Sequence, residues 1–260
     1  MQGHAFQGRH ILVTGAGTGI GRAIAERLAA EGALVSLCGR DLARLESVAK
    51  AIRESGGHAA AQATDVRRLD SVERAFDQAC ALFGAVHAAV ANAGVGGPNA
   101  PGAEDRFDDL VATNLAGTYH TFRAAERRLA PGPATRHLVA TSSILARIGV
   151  GGYSGYCASK AGILGLVRAL AAELAGANVQ VNAVCPGWVD TDMAREGLEG
   201  MARGMGVSFE EARRVAMSAV PLGRMGTPRE VAGVVRWLLS EDARGVTGQG
   251  VDANNGAWMA

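Results

Sequence analysis

HILVTGAGTGIGRAIAERLAAEG, residues 10–32, is the stretch that decides the fold. HILVT is a short apolar run of the kind that forms a buried strand. RAIAERLAAEG repeats its apolar residues at three- and four-residue spacing, the period of an amphipathic helix. Between them stands TGAGTGIG, with glycines at 15, 17, 19 and 21. Glycine allows a tight turn and lets a bound group approach the backbone. The helix that follows offers free N–H groups and a positive dipole end to an anion. A strand, a glycine turn and a helix in this order read as a cradle for a dinucleotide pyrophosphate. The spacing Gly15-x3-Gly19-x-Gly21 is not the general dinucleotide fingerprint, so the context carries the reading together with the glycines.

The same alternation continues along the chain. Strand-like segments are ALVSLC (33–38), HAAAQATDV (58–66, ending in a turn), AVHAAVANAG (85–94), RHLVATSS (136–143) and NVQVNAVCPG (178–187), with a short last strand in TGQGVDANNG (247–256). Helical patterns cover 41–56, 69–84, roughly 104–130 and 153–176. The strands are apolar on both faces and must be covered on both sides, which predicts an α/β, doubly wound parallel sheet. No composition break divides the 260 residues, so residues 1–260 are expected to form a single domain. Residues 190–220 hold Met193, Met201, Met205 and Met217 after the sixth strand. Ligands of such sheets sit beyond the strand C-termini, so this insertion is expected to be a helical substrate lid. A purely structural excursion is the alternative.

Composition sets further bounds. The chain is 48% hydrophobic, 20% charged and carries a formal net charge of +1, a globular profile with no call for nucleic acid or an anionic membrane as partner. No apolar run approaches a membrane span. MQGHAFQGRH has no apolar signal core, and cysteines 38, 80, 157 and 185 are scattered without metal-ligand spacing. The expectation is a cytoplasmic protein with free thiols and no metal site.

The second strand should end at the adenosine ribose, where an acid selects NAD and an arginine accepts a 2′-phosphate. Gly39 occupies the acid's place and Arg40 follows, which favours NADP(H). NAD(H) stays open, because Asp41 is adjacent and Thr18 is not basic.

YSGYCASK, residues 153–160, puts Tyr156 four residues before Lys160 on one helix face. A phenol titrates near 10, and a neighbouring cation lowers that value toward use as an acid or base. An ordinary tyrosine and lysine on one face would show the same spacing.

TGAGTGIG, ANAG (91–94), Asn114, Ser143, Tyr156, Lys160 and the Pro-Gly at 186–187 occur in one order. Together they resemble the short-chain dehydrogenase/reductase family, from about residue 8 to residue 256. The resemblance implies a Rossmann fold, an NAD(P)-dependent oxidoreductase and a homotetramer. It implies that Tyr156 is the general acid/base, that Lys160 lowers its pKa and binds the nicotinamide ribose, that Ser143 polarises the carbonyl and that Asn114 holds a water of a proton relay. Ser142 is the second choice for the hydroxyl. Tyr153 lies too far along the helix from Lys160. Gly15, Gly17, Thr18, Gly19, Ile20 and Gly21 would meet the phosphates, and Arg40 the adenosine side. Asp65 and Val66 would touch adenine. Asn92, Ala93 and Gly94 would line the ribose and nicotinamide side, unless NAG is only a structural turn. Pro186, Gly187, Val189 and Thr191 resemble the nicotinamide-side loop. VDANNG where VDGG is common, and the connection PGPATRHLV, are departures.

SFEEARRVAMSAVPLGRMGTPREVA is similar to that region of bacterial 3-oxoacyl-thioester and polyketide ketoreductases. This implies reduction of a 3-oxoacyl thioester or related bulky ketone, on coenzyme A or a carrier protein. An NAD-dependent catabolic dehydrogenase of a cyclic, aromatic or acyl-CoA alcohol is the alternative. A non-catalytic nucleotide-binding relative is a remote one, since Asn114, Ser143, Tyr156 and Lys160 are all present.

Overall fold

The computed structural model describes residues 5–259. Seven strands run β1 (His10–Thr14), β2 (Leu34–Gly39), β3 (His58–Ala63), β4 (Ala88–Ala91), β5 (Arg136–Thr141), β6 (Val179–Pro186) and β7 (Gly250–Ala253). All pairings are parallel, in the order β3-β2-β1-β4-β5-β6-β7. This is the expected doubly wound sheet. Its order reverses between β1 and β4, and a crevice opens there beyond the strand C-termini.

Alternation along each strand feeds two cores. Ile11 and Val13 of β1 join the core under α1 (Gly19–Ala30), α2 (Leu42–Glu54) and α9 (Pro228–Leu238). Leu12 joins the opposite core, under α3 (Leu69–Phe83), α5 (Gly117–Glu126) and α6 (Ser154–Leu174). Both faces are covered, so the period-two alternation of a half-solvated strand is absent from the sequence.

The helix expected over 104–130 is shorter and interrupted. It begins as α4 (Phe107–Val111), where the Asp105 side chain accepts the Phe107 N–H at 2.9 Å, and passes through a π-turn (Ala112–Ala116) into α5. Residues 127–130 turn away because Leu129 bridges Val86 and Ala130 N donates to the Val86 carbonyl at 2.8 Å. The insertion at 190–220 is two helices, α7 (Asp192–Met205) and α8 (Phe209–Ser218). Gly206, at φ 66°, ends the first in a conformation that favours glycine, and the Ser208 side chain caps the second. No helix among the described residues is long and apolar enough to cross a membrane.

Candidate active site

Gly15 (φ 65°) and Gly19 (φ 52°) take the left-handed turn that the phosphate loop needs. A Cβ on Gly15 would lie 2.8 Å from Ala93 Cα, and one on Gly21 would run into the Gly15 carbonyl oxygen. The loop is therefore pressed against the end of β4 and can close only as glycine. Thr18 precedes α1 in extended conformation and makes no side-chain cap. Ile20 packs partly into the core, so only its backbone is free to meet a ligand.

An open cleft of about 530 Å³ lies between this loop and the end of β2, lined by Gly15, Gly17, Thr18, Arg40, Asp41 and Arg44 among others. A smaller one of about 120 Å³ continues from it past Asp65, Val66, Ala93 and Gly94. Arg40 borders both and has no ion-pair partner among the described residues. Asp41 has little left for a ribose: Oδ1 accepts the Arg44 N–H at 3.1 Å and Oδ2 lies 3.1 Å from Arg44 Nε. The Asp65 carboxylate is gripped by Arg67, with contacts down to 2.7 Å, and this holds it below the usual carboxylate range.

Asn92 joins three strands. Its Nδ2 donates to the Thr14 and Gly15 carbonyls at 3.2 and 3.3 Å, and its Oδ1 accepts from Thr141 Oγ1 at 3.0 Å. Thr14 Oγ1 accepts from both the Asn92 and Ala93 N–H groups at 3.1 Å. The Asn92 side chain therefore serves the structural turn, while Ala93 and Gly94 face the cleft. A Cβ on Gly94 would lie 3.0 Å from Asn114 Oδ1 and 3.4 Å from Lys160 Nζ, so that backbone packs closely against both side chains.

Asn114, fully buried in the π-turn, exchanges two hydrogen bonds with the Val95 backbone (2.9 and 3.0 Å) and donates to Ser159 Oγ at 3.1 Å. Its backbone carbonyl accepts from Thr118 Oγ1 at 2.7 Å. The side-chain amide thus ties the loop after β4 to α6. π-turns of this kind gather at functional sites.

Ser142 Oγ donates to the Lys160 carbonyl at 2.9 Å, a packing role. Ser143 is the hydroxyl beside the Tyr156 phenol, and it also accepts the Leu145 N–H at 3.1 Å. Lys160 Nζ sits 5.6 Å from the centre of the Tyr156 ring and donates to the Thr141 carbonyl at 2.9 Å. Desolvation opposes the lowering that Lys160 is expected to bring to Tyr156. Burial pushes the phenol up, and the Ser143 hydroxyl only partly pulls it back. Burial also pushes Lys160 down to about 8.

On the other side, Pro186 ends β6, Gly187 has room only for hydrogen against Asn254 (a Cβ would stand 3.1 Å away), and Val189 bridges Gly226. Thr191 caps α7 through the Ala194 N–H at 3.3 Å, and its Cγ2 would lie 3.1 Å from a Cβ on Gly19. The start of the insertion thus touches the phosphate loop. Met193 of α7 would similarly crowd a Cβ on Gly96 at 3.0 Å, so the insertion overhangs the crevice.

Thr14, Arg44, Arg67, Asn99, Thr141 and Ser159 hold this site together without any sequence signal of their own. Asn99 shows why. Its Oδ1 accepts the Gly155 N–H at 2.8 Å and its Nδ2 donates to Ser154 Oγ at 3.2 Å, a cap on α6 supplied from a distant loop. Among the described residues no group of three or more His, Cys, Asp or Glu is placed to hold a metal ion.

The glycine cradle, the bordering Arg40 and the Ser143–Tyr156–Lys160 cluster fit a nicotinamide dinucleotide. A family model described as enoyl-(acyl carrier protein) reductase matches residues 15–257. The chain belongs to the short-chain dehydrogenase/reductase family, whose members are NAD(P)-dependent oxidoreductases. Within it, the chain is 32% identical over 256 residues to the 3-oxoacyl-(acyl-carrier-protein) reductase FabG of Vibrio harveyi, covering 98% of this chain and 99% of the relative. It is 38% identical over 251 residues to a putative ketoacyl reductase of Streptomyces coelicolor, covering 94% and 95%. The crystal structure of a point variant of actinorhodin polyketide ketoreductase with NADPH superposes with a TM-score of 0.90 at 35% identity, covering 99% of each chain. The resemblance read from the sequence holds.

Proposed function

We propose that this protein reduces a 3-oxoacyl thioester, or a ketone of similar bulk, to the secondary alcohol with NADPH. One observation carries the reading: the Ser143 hydroxyl beside the Tyr156 phenol and Lys160 Nζ 5.6 Å from the centre of its ring make one cluster, and a phenol holds a proton to give at neutral pH.

The chemistry follows from the developing charge. A bound nicotinamide supplies the hydride. The chain's own residues manage the oxygen that becomes negative. The Ser143 hydroxyl donates a hydrogen bond to the carbonyl oxygen, and Tyr156 Oη transfers its proton there. The Lys160 ammonium, under the Tyr156 ring, stabilises the phenolate left behind. Asn114 fixes the Val95 backbone and Ser159, and so holds the loop after β4 against α6. Gly15, Gly17, Thr18, Gly19, Ile20 and Gly21 would hold the pyrophosphate through backbone groups. Arg40 would take the 2′-phosphate, and Asp65 and Val66 the adenine. Ala93, Gly94, Pro186, Gly187, Val189 and Thr191 would surround the nicotinamide ribose and carboxamide. Asn92 would act through the turn it braces.

Two features support NADPH over NADH. Arg40 is unpaired at the end of β2, and Asp41 is occupied by Arg44. The names of the relatives support the substrate class, and the exposed Met193 against Gly96 gives the lid an adaptable apolar contact for an acyl chain. We read residues 5–259 as one domain whose lid is α7 and α8; residues 1–4 and 260 of the expected 1–260 lie outside the described residues. The four cysteines are free, which suits a reducing compartment and a cytoplasmic location. The exposed Tyr119 on α5 and the exposed Ala161 and Ala169 on α6 support a homotetramer.

The test follows absorbance of reduced nicotinamide with 3-oxoacyl-coenzyme A esters and bulky ketones, using NADPH and NADH in parallel. NADPH-driven reduction of the thioester is expected. Faster NAD-driven oxidation of cyclic or aromatic alcohols would replace this reading with an oxidative dehydrogenase. Nucleotide binding with no turnover on any of these would point to a non-catalytic relative.

A further inference from the structure

We propose that Arg44 is a specificity-determining residue, selecting a 2′-phosphorylated dinucleotide by neutralising Asp41. The inference rests on the reading of the large cleft as the adenosine end of a dinucleotide site.

The cleft at the end of β2 is bordered by two guanidiniums and one carboxylate, those of Arg40, Arg44 and Asp41. A phosphate placed there is attracted by Arg40 and repelled by Asp41. At separations of a few ångströms the two effects are of similar size. The carboxylate is not free to leave. Asp41 is the N-cap of α2, with extended backbone, and its Oδ1 accepts the Arg44 N–H at 3.1 Å. The helix cap keeps the charge at the border of the cleft, so a bound phosphate would need it cancelled in place.

Arg44 is built to do this. Its Nε lies 3.1 Å from Asp41 Oδ2, and neither of its Nη groups has a hydrogen-bond partner among the described residues. Those Nη groups remain available at the cleft border. Its Cβ stands 3.4 Å from where a Cβ on Gly17 would be, so the root of the side chain abuts the phosphate loop. The pair is exposed on both sides, and exposed pairs of this kind add little to folding. Its effect should therefore appear in ligand discrimination. Without Arg44, the bare carboxylate repels a 2′-phosphate and becomes free to accept hydrogen bonds from an unphosphorylated ribose.

The experiment compares equilibrium binding of adenosine 2′,5′-bisphosphate and adenosine 5′-monophosphate, which differ only at the 2′ position. Thermal unfolding confirms that each variant is folded. Wild type should prefer the bisphosphate. Arg44→Ala should shrink that preference about tenfold. Adding Asp41→Asn, which retains a capping side chain, should bring it back to within about threefold of wild type. An unchanged ratio in Arg44→Ala overturns the inference and leaves the NADPH reading standing. A reduced ratio that Asp41→Asn does not restore overturns neutralisation as the cause. Equal binding of both nucleotides by wild type overturns the NADPH reading and the inference with it.

Discussion

Lys160 is buried and Tyr156 partly so, and desolvation moves their pKa values in opposite directions. The phenol is held protonated and the ammonium is brought close to neutrality. In the proposed reduction, both groups must carry their protons: Tyr156 to donate, Lys160 to stabilise the phenolate. Lys160 loses its proton as pH rises through about 8, so reductive kcat/KM should be level near neutrality and fall about tenfold per unit above that value. A pH profile of ketone reduction checks this, and a rate still level well above that pH would detach Lys160 from the chemistry. The pairing of Tyr156 with Lys160 was legible from their spacing, because one helical turn fixes which side chains are neighbours. The sign of the Tyr156 shift was not legible. It depends on how much protein surrounds the phenol, which no local spacing encodes. Arg40 and Asp41 teach the same lesson: their position at the end of a strand could be read, but the engagement of Asp41 by Arg44 depends on side-chain direction.

At the scale of elements, α6 carries both Tyr156 and Lys160, yet its own N-cap residue, Tyr153, provides no side-chain cap. Asn99 supplies one, accepting the N–H of Gly155 one residue before Tyr156, while Asp105 accepts from its Nδ2 at 3.0 Å. Asn99→Ala should cost about 1 kcal/mol of stability, as lost caps do, and lower kcat while leaving nucleotide affinity near wild type. Thermal unfolding and steady-state kinetics would show it, and an unchanged melting temperature with unchanged kcat would refute the role. A cap donated across 56 residues leaves no mark in the helix's own sequence. The π-turn at Ala112–Ala116 is invisible for the same reason. ATNLA has an ordinary helical composition, and what stabilises the extra residue is the exchange between Asn114 and Val95. The strands were far more legible. Being buried on both faces they are simply apolar runs, and their order along the chain predicts a parallel sheet.

At the scale of the whole molecule, the two ends of the sheet have different chemistry. The C-terminal end of the strands gathers the glycines and the Ser143–Tyr156–Lys160 cluster. Toward the opposite end, β1, the start of β4 and β5 bring His10, His87 and His137 together across the sheet. His10 is tied to Ser36 Oγ and the Gly84 carbonyl at 2.8 Å each, and its N–H donates to His87 Nδ1 at 3.1 Å. His137 is buried with neither ring nitrogen hydrogen-bonded, and burial, with Arg9 nearby, pushes it down to about 4. His10 and His87 are lowered too, again chiefly by burial. Above pH 6.5 these rings are neutral whether folded or unfolded. Below it the unfolded chain binds protons that the fold refuses, so stability is lost as pH falls from 6.5 through about 4. The contribution of His137 alone is about 3 kcal/mol. Denaturant unfolding across this range should show that His137→Leu loses less stability on acidification than wild type. Identical pH dependence would show that the acid sensitivity arises elsewhere.

The central claim is that Tyr156 delivers the proton in NADPH-dependent ketone reduction, and one comparison tests it most directly. Tyr156→Phe keeps the ring over Lys160 and removes only the hydroxyl. Turnover of a 3-oxoacyl-coenzyme A ester should fall by about 100-fold or more, the scale of a lost general acid, while NADPH binding followed by fluorescence stays near wild type. Near-normal turnover in that variant, with NADPH bound as tightly as before, would contradict it.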